Sequence, residues 1–118
     1  MAQLKALLSE LAGLDGVSGA VVVSRDGFVI EGESRRDGFE ADAVGAVVSA
    51  GIGASEGIAA DLRLGGLHLA MLECQGGVLM IGGLGPGAVL AVLSDARANL
   101  GNIRFQVKKR LPELEQAL

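Results

Sequence analysis

The stretch from Ala41 to Ala60, ADAVGAVVSAGIGASEGIAA, constrains the fold of this chain more than any other. At about 3.6 residues per turn it predicts a helix with three sectors. Bulky apolar residues share the first: Val44, Val47, Val48, Ile52 and Ile58. Small residues share the second: Ala43, Ala46, Ala50, Gly53, Ala54 and Gly57. The third is a narrow polar strip: Asp42, Gly45, Ser49 and Glu56. A helix that is apolar over more than half of its circumference is normally covered on two sides.

The two apolar sectors predict two different neighbours for this helix. We expect the bulky sector to pack on the chain's own sheet and the small-residue sector to let another backbone approach closely. Our hypothesis for that backbone is a second copy related by a two-fold axis. Complete burial of the helix within a monomer is the alternative. Each of the four glycines costs about 1 kcal/mol of helix stability relative to Ala, which favours close packing at these positions.

Length and composition restrict the class of protein. With 118 residues, half of them apolar, we expect a single domain, residues 1–118, with a substantial core. A net charge of −4 and only three aromatic residues argue against a nucleic-acid partner. Cys74 is the only cysteine, so no internal disulfide or cysteine-based zinc site can form.

The pattern of apolar and charged residues predicts a soluble, cytoplasmic protein without membrane insertion. The N-terminal segment MAQLKALL lacks the features of a signal peptide. The stretch from Ala41 to Ala60 has nearly the length of a membrane span, but it contains Asp42 and Glu56 and consists largely of Ala, Gly and Ser.

The first half of the chain predicts a helix and a hairpin. Leucines spaced by three and four residues between Leu4 and Leu14 indicate a helix that ends near Gly13. Two strands follow, Val17 to Ser24 and Phe28 to Glu33, joined by a turn at Asp26-Gly27. The second strand is half polar, so we expect it at a sheet edge.

Three further strands are predicted after the long helix. They are Leu67 to Cys74, Val78 to Ile81 and Ala88 to Leu93, with a glycine loop from Gly82 to Gly87 before the last one. Short connections make them an antiparallel meander. The last strand is apolar on both faces, which is typical of a central strand.

A final helix is predicted after a cap at Ser94 or Asp95. Its inward stripe consists of Leu100, Ile103, Val107, Leu111 and Leu114, whereas Arg104, Lys108, Lys109 and Arg110 lie mostly off that stripe. We expect Pro112 to break or kink the helix at Leu111, or to start a last short turn. The element order α-β-β-α-β-β-β-α favours an α+β fold, a three-layer sandwich around a five-stranded antiparallel sheet.

The residues predict no catalytic site, cofactor site or metal site, so we do not expect an enzyme. His68 is the only histidine and has no Ser or Cys partner in a nucleophile motif, so we interpret it as an ordinary strand residue. The potential metal ligands are scattered. The glycine-rich segments 51–57 and 82–87 lack the spacing or the Lys-Ser/Thr of phosphate-binding loops, so we interpret their glycines as structural.

Several local motifs resemble those of a known family. They are LLSELAGLDGVSGAVVVSRDGFVIEG near the start, the small-residue helix from Ala41, and LAVLSDARANLGNIR near the end, with Asn99-Leu100-Gly101 at the head of the last helix. In these features and their order the chain resembles the Roadblock/dynein light chain family, and is most similar to its small prokaryotic members, the MglB type among them. The resemblance covers essentially the whole chain.

The resemblance implies a homodimer, or a heterodimer with a related subunit. Members of the family associate through the middle helix and pair the edge strand that follows it, which corresponds here to Leu67 to Cys74 and makes one sheet across two subunits. The interface residues implied on this sequence are Ala43, Ala46, Val47, Ala50, Gly53, Ala54, Gly57, Leu67, Leu69 and Met71.

The resemblance also implies a non-catalytic regulator of a small Ras-like GTPase, acting as a GTPase-activating or effector-type platform. Some prokaryotic members accelerate GTP hydrolysis by ordering the GTPase's own catalytic residues. The alternative is a scaffold or adaptor subunit of a signalling or motor-like complex with no effect on hydrolysis. A further alternative is a small-molecule module, which requires a pocket with convergent polar groups.

Four arginines near loops are candidates for an arginine finger. They are Arg25, Arg35, Arg36 and Arg97. Solvated loop charge is the simpler interpretation of each.

Overall fold

A computed structural model describes residues 2–35 and 39–118 of the chain. Helices and strands follow the predicted order. The elements are α1 (Ala2–Ala12), β1 (Val17–Ser24), β2 (Val29–Ser34), α2 (Ala41–Asp61), β3 (Ala70–Cys74), β4 (Gly77–Leu84), β5 (Ala88–Ser94) and α3 (Leu100–Gln116).

The five strands form one sheet in the order β2-β1-β5-β4-β3, and all neighbouring strands are antiparallel. The predicted meander of β3, β4 and β5 is confirmed, and so are the edge position of β2 and the central position of β5. Every residue of β5 except Leu93 is buried, as expected for a strand covered on both faces. The second edge of the sheet is β3, whose outer side has no neighbouring strand among the described residues.

Each face of the sheet carries its own apolar cluster. On one face α1 and α3 pack over Val22, Met80 and Leu90, with Leu8 and Ile103 buried between the layers. On the other face α2 alone of the three described helices packs over Val21, Ile81 and Val89 through Val48 and Ile52. The predicted three-layer α+β sandwich is therefore confirmed.

Two strand boundaries differ from the predictions by more than one residue. Strand β3 begins at Ala70 rather than Leu67, because residues 67–69 approach the sheet without strand pairing. Strand β4 continues to Leu84, through two glycines that we had placed in a loop. Gly82 has a packing role there, because a Cβ at this position would lie 2.9 Å from Cδ2 of Leu111 on α3.

The hairpin strand β2 also differs in detail from its predicted form. Phe28 precedes the strand and is exposed. Glu31 pairs with Val22 and Val29 pairs with Val23, so Ile30 is an extra residue at a β-bulge. The bulge makes this edge a poor template for further strand pairing, and Glu31 and Glu33 add charge on the α1 side of the strand.

The last helix begins later and ends later than predicted. Its cap is Asn99, whose Oδ1 accepts a hydrogen bond from the Asn102 amide at 3.1 Å, and not Ser94 or Asp95. Ser94 is the last residue of β5, and Asp95 instead accepts from the Arg97 amide in the turn. Pro112 lies inside the continuous helix. Because it is exposed, water can reach the backbone carbonyl that loses its donor there.

The sectors of α2 are only partly as predicted. Val44, Val48 and Ile52 pack on the sheet, but Val47 and Ile58 are 63% and 61% exposed. They lie at the margin of the bulky sector, where the surface of the helix turns away from the sheet.

Candidate interaction surface

The outward side of α2 is an apolar surface with no partner in the described chain. We call it the outer face of α2. It consists of Ala43, Ala46, Val47, Ala50, Gly53, Ala54, Gly57 and Ile58, all exposed. Between Asp42 and Asp61 this face carries no charged side chain. A contiguous apolar surface of this kind on a folded domain indicates an interaction site.

The glycines of α2 divide into two pairs. A Cβ at Gly45 would lie 2.8 Å from the carbonyl oxygen of Gly27, and one at Gly51 would lie 3.3 Å from Cδ1 of Ile81. These two glycines let the helix approach the hairpin and the sheet. By contrast, a Cβ at Gly53 or Gly57 would meet nothing within 4 Å. Packing within the chain therefore explains only the first pair.

Two residues of the polar strip of α2, Ser49 and Glu56, contact the β1–β2 turn, whereas Asp42 is exposed. Glu56 forms an ion pair with Arg25, with 2.6 Å between Oε1 and the guanidinium Nη1. The second terminal nitrogen of Arg25 donates to the Gly85 carbonyl at 3.1 Å, and the Ser49 hydroxyl donates to the Arg25 carbonyl at 2.5 Å. These contacts join α2 to two turns at one end of the sheet and hold its outer face in a fixed orientation.

An exposed connector and the open edge of β3 follow α2 directly. Helix α2 ends at Asp61, and Arg63 just beyond it adopts a φ of 56°. The Leu64 amide donates a hydrogen bond of 2.8 Å back to the Ala59 carbonyl, which closes the helix end. In the connector Leu62 and Leu64 are 65% and 72% exposed. In β3, Leu72 is 54% exposed and pairs with Leu79 on the α2 side of the sheet. The outer face of α2 therefore has apolar neighbours beside an unpaired strand.

The structure brings seven of the ten predicted interface residues together on α2 and separates the other three. Leu67 is partly buried against the cluster under α2. Leu69 packs against the cluster under α1 and α3, on the other face of the sheet. Met71 pairs with Met80 of that cluster, so it lies on the same face as Leu69. Leu67 and Leu69 precede β3, so the strand to which we assigned them is shorter than predicted.

Sequence reasoning missed four exposed apolar residues of the same region. They are Ile58, Leu62, Leu64 and Leu72. Ile58 was assigned to the sheet-facing sector, and the two connector leucines stand between charged or glycine residues that suggested a polar loop. The presence of two leucines, Leu62 and Leu64, in a short connector was the one feature of the sequence that could have indicated an apolar surface there.

The remaining candidates for chemistry do not converge. His68 lies before β3 and not within it, so its interpretation as a strand residue was wrong. In the described ranges no three His, Cys, Asp or Glu residues come close enough to hold a metal ion. Arg35 and Arg97 are exposed, Arg25 is paired with Glu56, and Arg36 lies outside the described residues.

One open cleft bears on the small-molecule alternative. It has a volume of about 500 Å³ and lies between the β4–β5 turn and the end of α3. Its lining is Ile30, Leu84, Gly85, Pro86, Gly87, Ala88, Glu115 and Leu118. Glu115 is the one ionisable side chain in this lining, so the cleft lacks the convergent polar groups that the alternative requires.

Helix α2 is long and apolar enough to cross a membrane by length and composition alone, with a mean hydropathy of 1.4 over the best window. Its buried side nevertheless packs on the sheet, and Ser49 and Glu56 are bound to the hairpin. The core helix of a sandwich can have the same length and hydropathy, so these two properties are weak evidence for a membrane span.

The sandwich, its open edge strand and the single helix with an apolar outer face together define a Roadblock-type domain. The Roadblock/LC7 domain model matches residues 3–94, and the chain belongs to this family. The uncharacterized protein MJ0714 of Methanocaldococcus jannaschii is 38% identical over 109 residues, covering 92% of this chain and 91% of that protein.

Solved structures share the fold. Myxococcus xanthus MglB superimposes with a TM-score of 0.88 at 20% identity, covering 99% of this chain and 95% of that one. The structure of MglB with tetrameric arrangement gives a TM-score of 0.88 at 19% identity, covering 98% and 87%.

Proposed function

We propose that the protein is a non-catalytic, dimeric regulator of a small Ras-like GTPase in the cytoplasm. The observation that carries the proposal is the outer face of α2 beside the open edge of β3. Both features are unpartnered in the described chain, and both are of the kind that a second copy can cover. Membership of the Roadblock/LC7 family supports the same assignment.

The proposed dimer has a two-fold axis perpendicular to the sheet. Two β3 strands then pair antiparallel, which satisfies the backbone groups that an open edge leaves free. The same axis places the two α2 helices side by side on one face of the joined sheet. Gly53 and Gly57 let these helices approach closely, since no described residue fills the space beside them. The tetrameric arrangement of MglB supports self-association as a property of this fold.

A dimer of this kind regulates a GTPase by binding one arrangement of its mobile segments better than the others. Differential affinity for the hydrolysis-competent arrangement accelerates turnover without a catalytic group from the regulator. The local structure supports this mode over an arginine finger for Arg25, since its guanidinium is bound to Glu56 and to the Gly85 carbonyl. Arg35 and Arg97 are exposed and serve as the test of the finger mechanism.

The experiment is a capture followed by a hydrolysis assay. The tagged protein is incubated with source-cell lysate supplied with a non-hydrolysable GTP analogue or with GDP. We expect a small GTPase to be retained with the analogue and not with GDP, because a regulator of hydrolysis binds the GTP state. Single-turnover GTP hydrolysis by that GTPase is then measured with and without the wild-type protein.

The variants in the assay separate the mechanisms. Arg35→Ala and Arg97→Ala leave the stimulation within about twofold if the protein only orders the GTPase, whereas loss of an arginine finger costs about 10³-fold or more. Ala50→Glu abolishes stimulation if the dimer is the active form, and the matched exposed substitution Ala6→Glu on α1 does not. Nucleotide-independent capture with no effect on hydrolysis contradicts the regulator and favours the scaffold alternative.

A further inference from the structure

The outward side of α3 carries a cluster of cations that the net charge of the chain conceals. Residues 96–112 contain five of the ten Lys and Arg residues and no Asp or Glu, although the whole chain has a net charge of −4. Four of the outward residues form what we call the basic face of α3: Arg104, Phe105, Lys108 and Lys109. Together with Gly101 they line an open cleft of about 510 Å³.

The cations of this face are not neutralised by the protein. Arg104, Lys108 and Lys109 make no side-chain hydrogen bond or ion pair with any described residue. The neighbouring Arg110 differs, because it donates to Gln106 and forms an ion pair with Glu10 on α1. Glu113 and Glu115 come only in the last turn of the helix. Within residues 2–35 and 39–118 the cation that faces α1 is thus paired, and three cations are left free toward solvent.

An exposed aromatic ring lies within the basic face. Phe105 is 63% exposed, while the apolar residues on the inner stripe of the same helix are buried or partly buried. Clusters of Lys and Arg on a helix surface are attracted to anionic lipid headgroups. An exposed aromatic ring beside them adds apolar area that the boundary between headgroups and acyl chains can bury.

We propose that the basic face of α3 docks the protein on an anionic lipid surface. All four residues come from consecutive turns of one helix on the outside of the sandwich. No other described element lines this cleft, so nothing in that part of the chain would clamp an extended peptide. Such an open face can contact a broad anionic surface with all of its cations at once, whereas it cannot enclose a small ligand. Binding is peripheral and leaves the sheet intact.

The dimer doubles this face, and this step rests on the proposed function. Helix α3 packs over β4, the strand next to the open edge strand β3. A two-fold axis perpendicular to the sheet beside β3 therefore brings two α3 helices close together on the same side of the joined sheet. Each cation near an anionic membrane contributes about a fivefold gain in partitioning, so three per chain are marginal and six are sufficient.

The test is sedimentation of the full chain with lipid vesicles. We compare vesicles of phosphatidylcholine alone with vesicles containing about 30 mol% phosphatidylserine, a content typical of anionic membranes. We expect partitioning only with phosphatidylserine, and release as NaCl rises from about 50 to about 500 mM because salt screens the exposed charges. Lys108→Ala/Lys109→Ala removes four cations from a dimer and lowers the partition coefficient roughly several-hundred-fold. The matched Lys108→Arg/Lys109→Arg variant retains it.

Two further variants test the ring and the dimer separately. Phe105→Ala weakens partitioning, and Phe105→Leu, which keeps an apolar side chain, restores most of it. Ala50→Glu weakens partitioning by dissociating the dimer while the basic face stays intact. If the wild-type chain sediments as a monomer yet partitions in a Lys108-dependent manner, the dimer is refuted and the lipid proposal is supported.

The lipid proposal is overturned if wild-type protein ignores phosphatidylserine at low salt, or if Lys108→Ala/Lys109→Ala partitions as the wild type does. Polyglutamate and a single-stranded oligonucleotide are the competing probes. The lipid proposal is contradicted if the protein does not bind vesicles but binds one of these probes tightly and through Lys108. Binding of polyglutamate would then assign the basic face of α3 to an acidic protein, and binding of the oligonucleotide would assign it to a nucleic acid.

Discussion

At the scale of single residues, the position of α2 depends on the close approach of its backbone to the hairpin turn. Gly45 faces the carbonyl of Gly27, and Gly27 itself has a φ of 94°, a conformation that side chains rarely adopt. The ion pair of Arg25 with Glu56 and the hydrogen bond from Ser49 lie along the same contact. The glycine contact is the critical one, because partly exposed ion pairs contribute little.

Gly45→Ala is expected to destabilise the fold. Its Cβ would lie 2.8 Å from the Gly27 carbonyl oxygen, a backbone atom that cannot move without shifting the turn. Overpacking of this kind costs about 1–3 kcal/mol, and the gain in helix propensity from Gly to Ala offsets about 1 kcal/mol of it, so we expect a net loss of up to about 2 kcal/mol. Urea unfolding monitored by circular dichroism measures the change. A variant more stable than the wild type by the full propensity gain would show that this contact does not position the helix.

At the scale of elements, the sequence predicted types and order well and boundaries less well. Strand β1 and the start of α2 agree with their predictions, because Asp26-Gly27 and a polar loop mark their ends. Strand β4 extended through Gly82, since a local pattern cannot show that α3 approaches the sheet there. Asn99 replaced Ser94 and Asp95 as the cap of α3 for a similar reason. Ser, Asp and Asn can all cap a helix, so the cap depends on where β5 ends and how long the turn after it is.

Pro112 is a second case in which the local sequence did not predict where an element ends. A proline in the interior is expected to end or kink a helix, yet α3 continues to Gln116. The inward stripe resumes at Leu114, which is fully buried, and Leu111 packs against Gly82. Burial of these leucines outweighs the loss of one hydrogen bond on the exposed side. Such tertiary compensation is not visible in the local sequence.

Gly53→Ala/Gly57→Ala separates packing within the chain from packing between chains. In the Ala50→Glu background, where we expect a monomer, the double variant gains about 1–2 kcal/mol of stability because both Cβ atoms enter open space. In the native background the same Cβ atoms meet the partner helix, so self-association weakens. Denaturant unfolding measures the first effect and sedimentation equilibrium the second. An unchanged dissociation constant would place the partner on some other surface.

At the scale of the whole molecule, the sequence predicted the helix that is exposed but not the full extent of the surface around it. Small residues at helical spacing indicated the outer face of α2. Leu62 and Leu64 were missed because they lie in a connector, where no periodicity marks an exposed apolar side chain. The basic face of α3 was noted only as residues off the inward stripe. Whether such residues stay free or find partners depends on neighbours such as Glu10, which the fold brings to Arg110.

The proposed regulator depends on a second copy covering the outer face of α2, and analytical ultracentrifugation tests this contact directly. The wild-type chain is predicted to sediment with twice its monomer mass. Ala50→Glu, which places a charge in a dry contact at a cost of several kcal/mol, is predicted to sediment as a folded monomer. The variant Ala6→Glu controls for an exposed charge elsewhere and remains dimeric. A dimer that survives Ala50→Glu unchanged would contradict the assigned face, and a monomeric wild type would contradict the proposed dimeric regulator.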